Sequence, residues 1–445
     1  MWVVLLLVLS IAFIVLATAR LHLHPFLALL ITAFGFGILA GMPLNQIVES
    51  VNAGFGGTIG HIGIVILAGS IIGKFLEKSG GAYRLAKRTL QMVGERNVPA
   101  AMGIVGYIVS MPVFADSAFV LLSPLNKALV RGAGITLAGS AIALSLGLAA
   151  SHTMVPPTPG PVAAAGVIGA DLGLVIVWGL IVSSAALVAG WLFAVLYASR
   201  TWISPHGEAE QEVEPVSPDS APSVGMSLLP ILVPIILIVL GTLVRSPADP
   251  DGPAGFAAML SFVGQPVVAL LVGVALAAML PRDRDRRMFS DSGWVGEAII
   301  AAAGIIIITG AGGAFGRVLQ DSGIVGVIGE SLADAPLGIW LPFMIAAGIK
   351  TAQGSSTVAI ITTAGLMAPL LGPLGLDSET AKALVVVAIG AGSLVVSHAN
   401  DSFFWVVTRF CGMSVPTGYR LLSLGTLVIG AAAGLVLWLL SLILL

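Results

Sequence analysis

The chain has 445 residues, 57% of them hydrophobic and 9% charged, with a net charge of −2 and a mean hydropathy of +1.05. A soluble domain carries about 25% charged residues, so this composition excludes a large soluble core and predicts a polytopic membrane protein. The near-neutral balance argues against a nucleic-acid partner, and the lone Cys411 excludes a disulfide scaffold.

Crossing the hydrocarbon layer takes about 20 apolar residues. Such spans are predicted at 2–19, 25–42, 59–76, 133–151, 174–199, 226–245, 256–280, 297–318, 381–398 and 421–444. The first has no basic n-region and is predicted as a membrane helix rather than a cleaved signal. Loop 77–98 carries five basic and two acidic residues, which places it in the cytoplasm. The stretch 99–130 is apolar but broken, and Lys127 and Arg131 put its far end on the same side, as a re-entrant hairpin requires. Its predicted tip, Pro112 to Ser117, presents Asp116 and Ser117 beside a helix-breaking proline.

Further along, His152 precedes Pro156-Pro157-Thr158-Pro159-Gly160-Pro161, so no helix continues through 151–161. Residues 200–225 form an acidic, Pro- and Ser-rich linker that cannot build a core. It separates a first membrane repeat, 1–199, from a second, 226–445. The arginines of 281–287 read as cytoplasmic, whereas 319–335, with Asp321, Glu330 and Asp334 and no Lys or Arg, suits the outside. The second broken stretch, 337–372, is followed by Asp377 and Glu379 and forms a hairpin from that opposite side. Its tip is Gln353-Gly354-Ser355-Ser356-Thr357. Free N–H groups and hydroxyls at the positive end of a helix dipole suit a carboxylate, although ordinary turn chemistry uses the same residues. Lys350 stands close by and can pair with a substrate, pair with an internal acid, or snorkel to the interface. A second helix break is predicted at 397–405, where His398, Asn400 and Asp401 precede Phe403, Phe404 and Trp405.

The two halves repeat each other. At an offset of 243, Gly73-Lys74 aligns with Gly316-Arg317, Ser79-Gly80 with Ser322-Gly323, and Pro112-Val113-Phe114 with Ser355-Ser356-Thr357. Ser151-His152 falls opposite Ser397-His398 at an offset of 246. Equivalent loops carry opposite charge signatures, so the repeat is predicted to be inverted. The fold class is thus an all-α polytopic membrane protein of two inverted-topology repeats, each with a re-entrant hairpin and a broken helix.

Ionisable groups at membrane depth are read as functional first. Histidines and buried carboxylates can both carry a proton, and Asp116, His152, His398 and Asp401 remain open as candidates for coupling. There is no GxxxxGK[ST] phosphate loop, potassium selectivity signature, arginine ladder, metal-ligand cluster or HExxH motif. No metal, no cofactor and no enzymatic activity are therefore expected.

Four stretches together, MPVFADSAFVLL at 111–122, SHTMVPPTPGPVAAAGVIGADLG at 151–173, KTAQGSSTVA at 350–359 and SHANDSFFWVVTRFCGMS at 397–414, resemble the gluconate:proton symporter (gluconate permease, GntP) family of the ion transporter superfamily. The resemblance implies import of gluconate or a related sugar acid, driven by protons, across a bacterial inner membrane. It also implies elevator-like alternating access and a homodimer in the lipid bilayer. Members of the family also carry other small hydroxylated anions and D-serine, and coupling to Na⁺ stays open.

On this reading Ser355, Ser356 and Thr357, with Gln353 and Gly354 at the same tip, hold the substrate carboxylate. Ser117, Thr158, Asn400 and Asp401 address its hydroxyls.

Overall fold

Pro25, caught in the first turn of a helix, and Gly41, left-handed just after it, mark how this chain punctuates itself between apolar runs. In the computed structural model, which describes residues 2–93, 97–205, 221–244, 255–282, 285–323 and 337–445, the regular structure is helical throughout. The first half runs α1 (Trp2–Ala19), α2 (Pro25–Leu39), α3 (Leu44–Lys78), α4 (Gly81–Val93), α5 (Val98–Val109), α6 (Ala115–Ala133), α7 (Leu137–Met154), α8 (Pro159–Ile168) and α9 (Leu172–Leu196). The second runs α10 (Val224–Val244), α11 (Phe256–Val263), α12 (Pro266–Ala277), α13 (Trp294–Asp321), α14 (Trp340–Gln353), α15 (Ser356–Met367), α16 (Glu379–Gly392), α17 (Ser402–Phe410) and α18 (Leu424–Leu444).

From α3 and from α13 onward the same order recurs: a long helix, a hairpin, a broken pair and a closing helix. α3 and α13 both end on a serine followed by a left-handed glycine, Gly80 at φ +76° and Gly323 at φ +75°. These two helices pack against each other and run antiparallel. Lys74 and Lys78, late in α3, reach Glu297 at the start of α13 at 3.5 and 3.3 Å. Ser50, early in α3, donates to Asp321 at the end of α13 at 2.8 Å. Equivalent elements pointing in opposite directions make the repeat inverted. Their crossing is tight because neither helix has a side chain there: a Cβ on Gly54 would stand 2.5 Å from the Gly313 carbonyl oxygen.

α5, with 12 residues, and α15, also with 12, rise about 18 Å, well short of a hydrocarbon core of about 30 Å. Both hairpins therefore turn back inside the membrane. At the centre lie α7 and α16, which bury almost every residue and so are apolar all round. The outer helices α9, α10 and α18 show Leu and Ile to the surroundings instead, as a lipid-facing belt requires.

The polar ends sort onto two faces. Arg84 of α4 donates to the carbonyls of Pro222 and Ala221, and Arg131 at the end of α6 donates to that of Pro205, so these join Lys78 and Glu297 on one face. Ser50, Asp321, Asp171 and Thr242 mark the other, with Thr242 donating to Asp171 at 2.9 Å.

Several boundaries differ from the sequence expectation. Residues 44–58, too polar to read as a span, continue α3 backwards through a 42° bend. The basic stretch 81–93 is an amphipathic helix rather than loop, with Ala82 and Leu85 buried. The expected span 256–280 is broken at Gly264-Gln265 and bent by 71°. Among the described residues five helices are long and apolar enough to cross a membrane, or seven if two bent pairs each count as one, against ten expected. Spans such as 25–42 shorten to 15 residues because glycine and proline end them early. Residues 206–220 of the acidic linker, with Glu330 and Asp334, lie outside the described residues.

Candidate functional site

The breaks in the two central helix pairs lie at different depths. α7 stays helical through Ser151 and His152, and its break is the short turn 155–158. α16 stops at Gly392, and 393–401 is unwound, with Val396 at φ +52°. Ser151-His152 and Ser397-His398 are thus similar words in non-equivalent places. The true correspondence lies one element on: Thr158 is the N-cap of α8 and Asp401 the N-cap of α17.

The long second break is held on both sides. The Ser397 N–H donates to Thr426 Oγ1 at 3.0 Å, and Ser423 donates to the Ser397 carbonyl, both from the start of α18 and the turn before it. Asn400 donates to the Thr351 carbonyl at 2.9 Å, and His398 Nε2 lies 2.7 Å from the same oxygen. The unwound strand is thereby tied to the end of α14. The hairpin tip answers in kind: Ser356 donates to the Ser393 carbonyl at 2.9 Å. Gly354, at φ +92°, sits so close that a Cβ would meet the Asn400 carbonyl oxygen at 2.1 Å.

Where these parts converge there is a cavity of about 160 Å³. The first hairpin contributes Phe114, Ala115 and Asp116, and α7 contributes His152 and Thr153. The second hairpin adds Ser355, Ser356, Thr357 and Lys350, while the second break adds Ser397, Asp401 and Ser402. Both halves meet there directly, since Ser402 donates to Asp116 at 3.2 Å. Three helix N-termini, those of α6, α15 and α17, open at this cavity. Ser355 caps α15 through the Val358 N–H at 3.3 Å, which leaves the amides of Ser356 and Thr357 without a partner inside the helix. Such a lining accepts an anion bearing hydroxyl groups.

At the floor is an ion pair. Lys350 is 1% exposed and Asp401 8%, and their N–O separation is 2.5 Å. Lys350 also donates to the Gly354 carbonyl. Asp401 further accepts from Ser397 at 2.5 Å and from the Phe403 N–H at 3.0 Å, its cap bond. His152 has a buried Nδ1 with no protein partner and packs its ring 6.1 Å from that of Phe114. Among the described residues no group of three His, Cys, Asp or Glu side chains is placed to hold a metal.

The cavity thus gathers Asp116, His152, Ser355, Ser356, Thr357 and Asp401 of the residues singled out in the sequence. Gly354, Asn400 and His398 stand behind it as fasteners of the tip. Thr158 is buried and bonded to the Val155 carbonyl at 2.6 Å. Ser117 lines a second cavity, with Lys74, Glu77 and Pro112, and Phe114 borders both. The side chain of Gln353 lies outside the described residues. Thr153, Ser402 and Thr426 were not anticipated; for Thr426 the available signal was a hydroxyl early in an otherwise apolar helix, which in lipid marks an internal bond.

A family model described as GntP family permease matches residues 2–443. The chain is 38% identical over 422 residues to a gluconate permease of Pseudomonas aeruginosa, covering 93% of this chain and 92% of that one. It is 33% identical to the inner membrane permease YgbN of Escherichia coli, covering 94% of each. Among solved structures, the crystal structure of the YdaH transporter of Alcanivorax borkumensis, described as having an unusual topology, superposes with a TM-score of 0.67. That match covers 94% of this chain and 98% of the other at 14% identity, which speaks for the fold alone.

Proposed function

The chain belongs to the GntP permease family, and from that premise we propose that it imports gluconate, or a sugar acid close to it, by proton symport. It is a multi-pass transporter of the inner membrane and not an enzyme. The observation that carries the proposal is the single cavity into which both hairpin tips and the second helix break project. The first-turn amides of Ser356 and Thr357 and the hydroxyl of Thr357 take the carboxylate at the head of α15. Ser355, Ser402, Thr153 and Asn400 lie along or beside it to meet the hydroxyls of a polyol chain, which needs several weak donors and acceptors rather than one strong charge.

A titratable side chain of the same cavity takes the coupling proton, with Asp116, His152 and Asp401 inside it and His398 at its edge. The loaded site then moves between the two faces by an elevator-like displacement of the hairpins and broken helices against the outer helices. Homodimerisation through the outer helices belongs to the same reading.

Proteoliposomes with an imposed inward pH gradient in Na⁺-free buffer provide the test, with labelled gluconate as substrate and excess D-serine, glycerate and succinate as competitors. Accumulation above equilibrium, abolished by a protonophore, is the expected result. Uptake restored only by Na⁺ would replace the proton as coupling ion. No uptake under either gradient would remove gluconate as the substrate.

A further inference from the structure

We propose that Lys350 is the cationic anchor for the substrate carboxylate and that Asp401 is its resident stand-in, released when Asp401 takes the coupling proton. The inference rests on the transport reading above and deepens it. It assigns to two named residues the exchange that links proton and substrate, and it fixes the charge carried per cycle.

Both members of the pair line the cavity, and both are buried. An isolated lysine ammonium at that depth is not tolerated, so it must hold an anion at every stage. Lys350 has three N–H donors. One goes to Asp401 and one to the Gly354 carbonyl, which fixes the ammonium under the tip of the second hairpin. Ser355, Ser356 and Thr357, the residues that head α15, border the same space. A carboxylate at the head of α15 therefore lies between the helix amides and the Lys350 ammonium, where Asp401 already sits from the opposite side.

Three groups cannot all be ionised there. With Asp401 ionised, an incoming carboxylate adds a second anion to one cation. With Asp401 protonated, its new O–H can donate to a neighbouring oxygen, and Lys350 is free to pair with the substrate. The proton comes from the solution on the side of entry, forms an O–H bond at the Asp401 carboxyl, and leaves to the solution on the side of exit. The empty site (ammonium and carboxylate) and the loaded site (ammonium, carboxylic acid and substrate anion) then carry the same charge.

The other titratable groups facing Asp401 do not make this exchange. Asp116, from α6, is within electrostatic reach but its bond is to Ser402. His152, from α7, is also within reach, yet protonating it adds a cation and frees no lysine. His398, on Asp401's own segment, is engaged at the Thr351 carbonyl. The sequence separation of 51 residues hid the pair, and only the return of the unwound 393–401 strand over the end of α14 joins it.

Two measurements on the wild-type protein and three variants test this. Gluconate added to purified protein in weakly buffered detergent solution should raise the pH, with close to one proton taken up per gluconate bound. Uptake into proteoliposomes under a fixed pH gradient should be unchanged when a potassium diffusion potential is imposed with valinomycin.

Asp401→Asn should lose accumulation driven by the pH gradient, with any gluconate it still binds bound without proton uptake, and Asp401→Glu should restore both. Lys350→Gln should weaken gluconate binding by about tenfold or more, the scale of one lost charged hydrogen bond. Binding without proton uptake, or accumulation by Asp401→Asn equal to wild type, would overturn the assignment. Wild-type protein that accumulates no gluconate would overturn the transport reading itself, and that failure is seen before any variant is made.

Discussion

At Gly354 the chain needs a residue with no side chain for two separate reasons. Its φ of +92° is costly for any L side chain, and the space where a Cβ would stand is filled by the Asn400 carbonyl. Gly354→Ala is therefore expected to distort the tip, with about 1–3 kcal/mol of backbone strain before the clash is added. The readout is a gluconate uptake rate that falls at least severalfold, measured against the amount of protein recovered as a single species by size exclusion. Ser355→Ala acts more gently: it removes the cap of α15 and should cost about 1 kcal/mol of thermal stability. A melting temperature unchanged within error would show that the cap contributes nothing to that tip. These neighbours have different tasks, one a shape and the other a bond.

Among elements, the α3–α13 crossing illustrates what the sequence made plain and what it concealed. Gly73 and Gly316, with the shared Ser-Gly endings at 79–80 and 322–323, were visible as a repeat, because close packing in a membrane selects small residues and helix ends select left-handed glycine, whereas the crossing glycines Gly54 and Gly313 were not. Residues 44–58 were not visible as helix, since Asn45, Glu49 and Asn52 break the apolar run that span prediction counts. The candidate cavity divides in the same way. The tip 353–357 and Asp116 stood out by being polar in an apolar context, whereas the pairing of Lys350 with Asp401 depends on tertiary return and has no local signal. The Ser-His echo misled because the second break starts at Ser393, before its histidine, and the first starts after His152.

A wedge at the crossing tests its importance. In Gly313→Val the new side chain would meet Thr58 Oγ1 at 2.0 Å and the Gly54 carbonyl oxygen at 2.8 Å already at its Cβ. Overpacking of this kind costs about 1–3 kcal/mol. It should lower the melting temperature in detergent, and an unchanged melting curve would mean that the two helices separate freely.

For the molecule as a whole, the antiparallel α3–α13 pair fixes which polar ends share a face. Lys87 and Glu49 are both exposed and belong to opposite faces. After replacement of the sole, buried Cys411, a membrane-impermeant maleimide should label Glu49→Cys in intact cells. Lys87→Cys should react only after permeabilisation, as the basic stretch it belongs to predicts. Equal labelling of both from one side would overturn the orientation, and with it the inverted relation between the halves.

One side chain, Phe114, is the shared boundary of the cavity that holds Asp116 and the cavity that holds Lys74 and Glu77. An aromatic ring standing between two polar cavities is also a barrier to water wires. In Phe114→Ala the two spaces merge into one polar conduit, and liposomes carrying that variant should dissipate an imposed pH gradient without any substrate. A fluorescent pH dye trapped inside reads the leak directly. For a machine that must couple, insulation then rests on a phenyl group rather than on a charge.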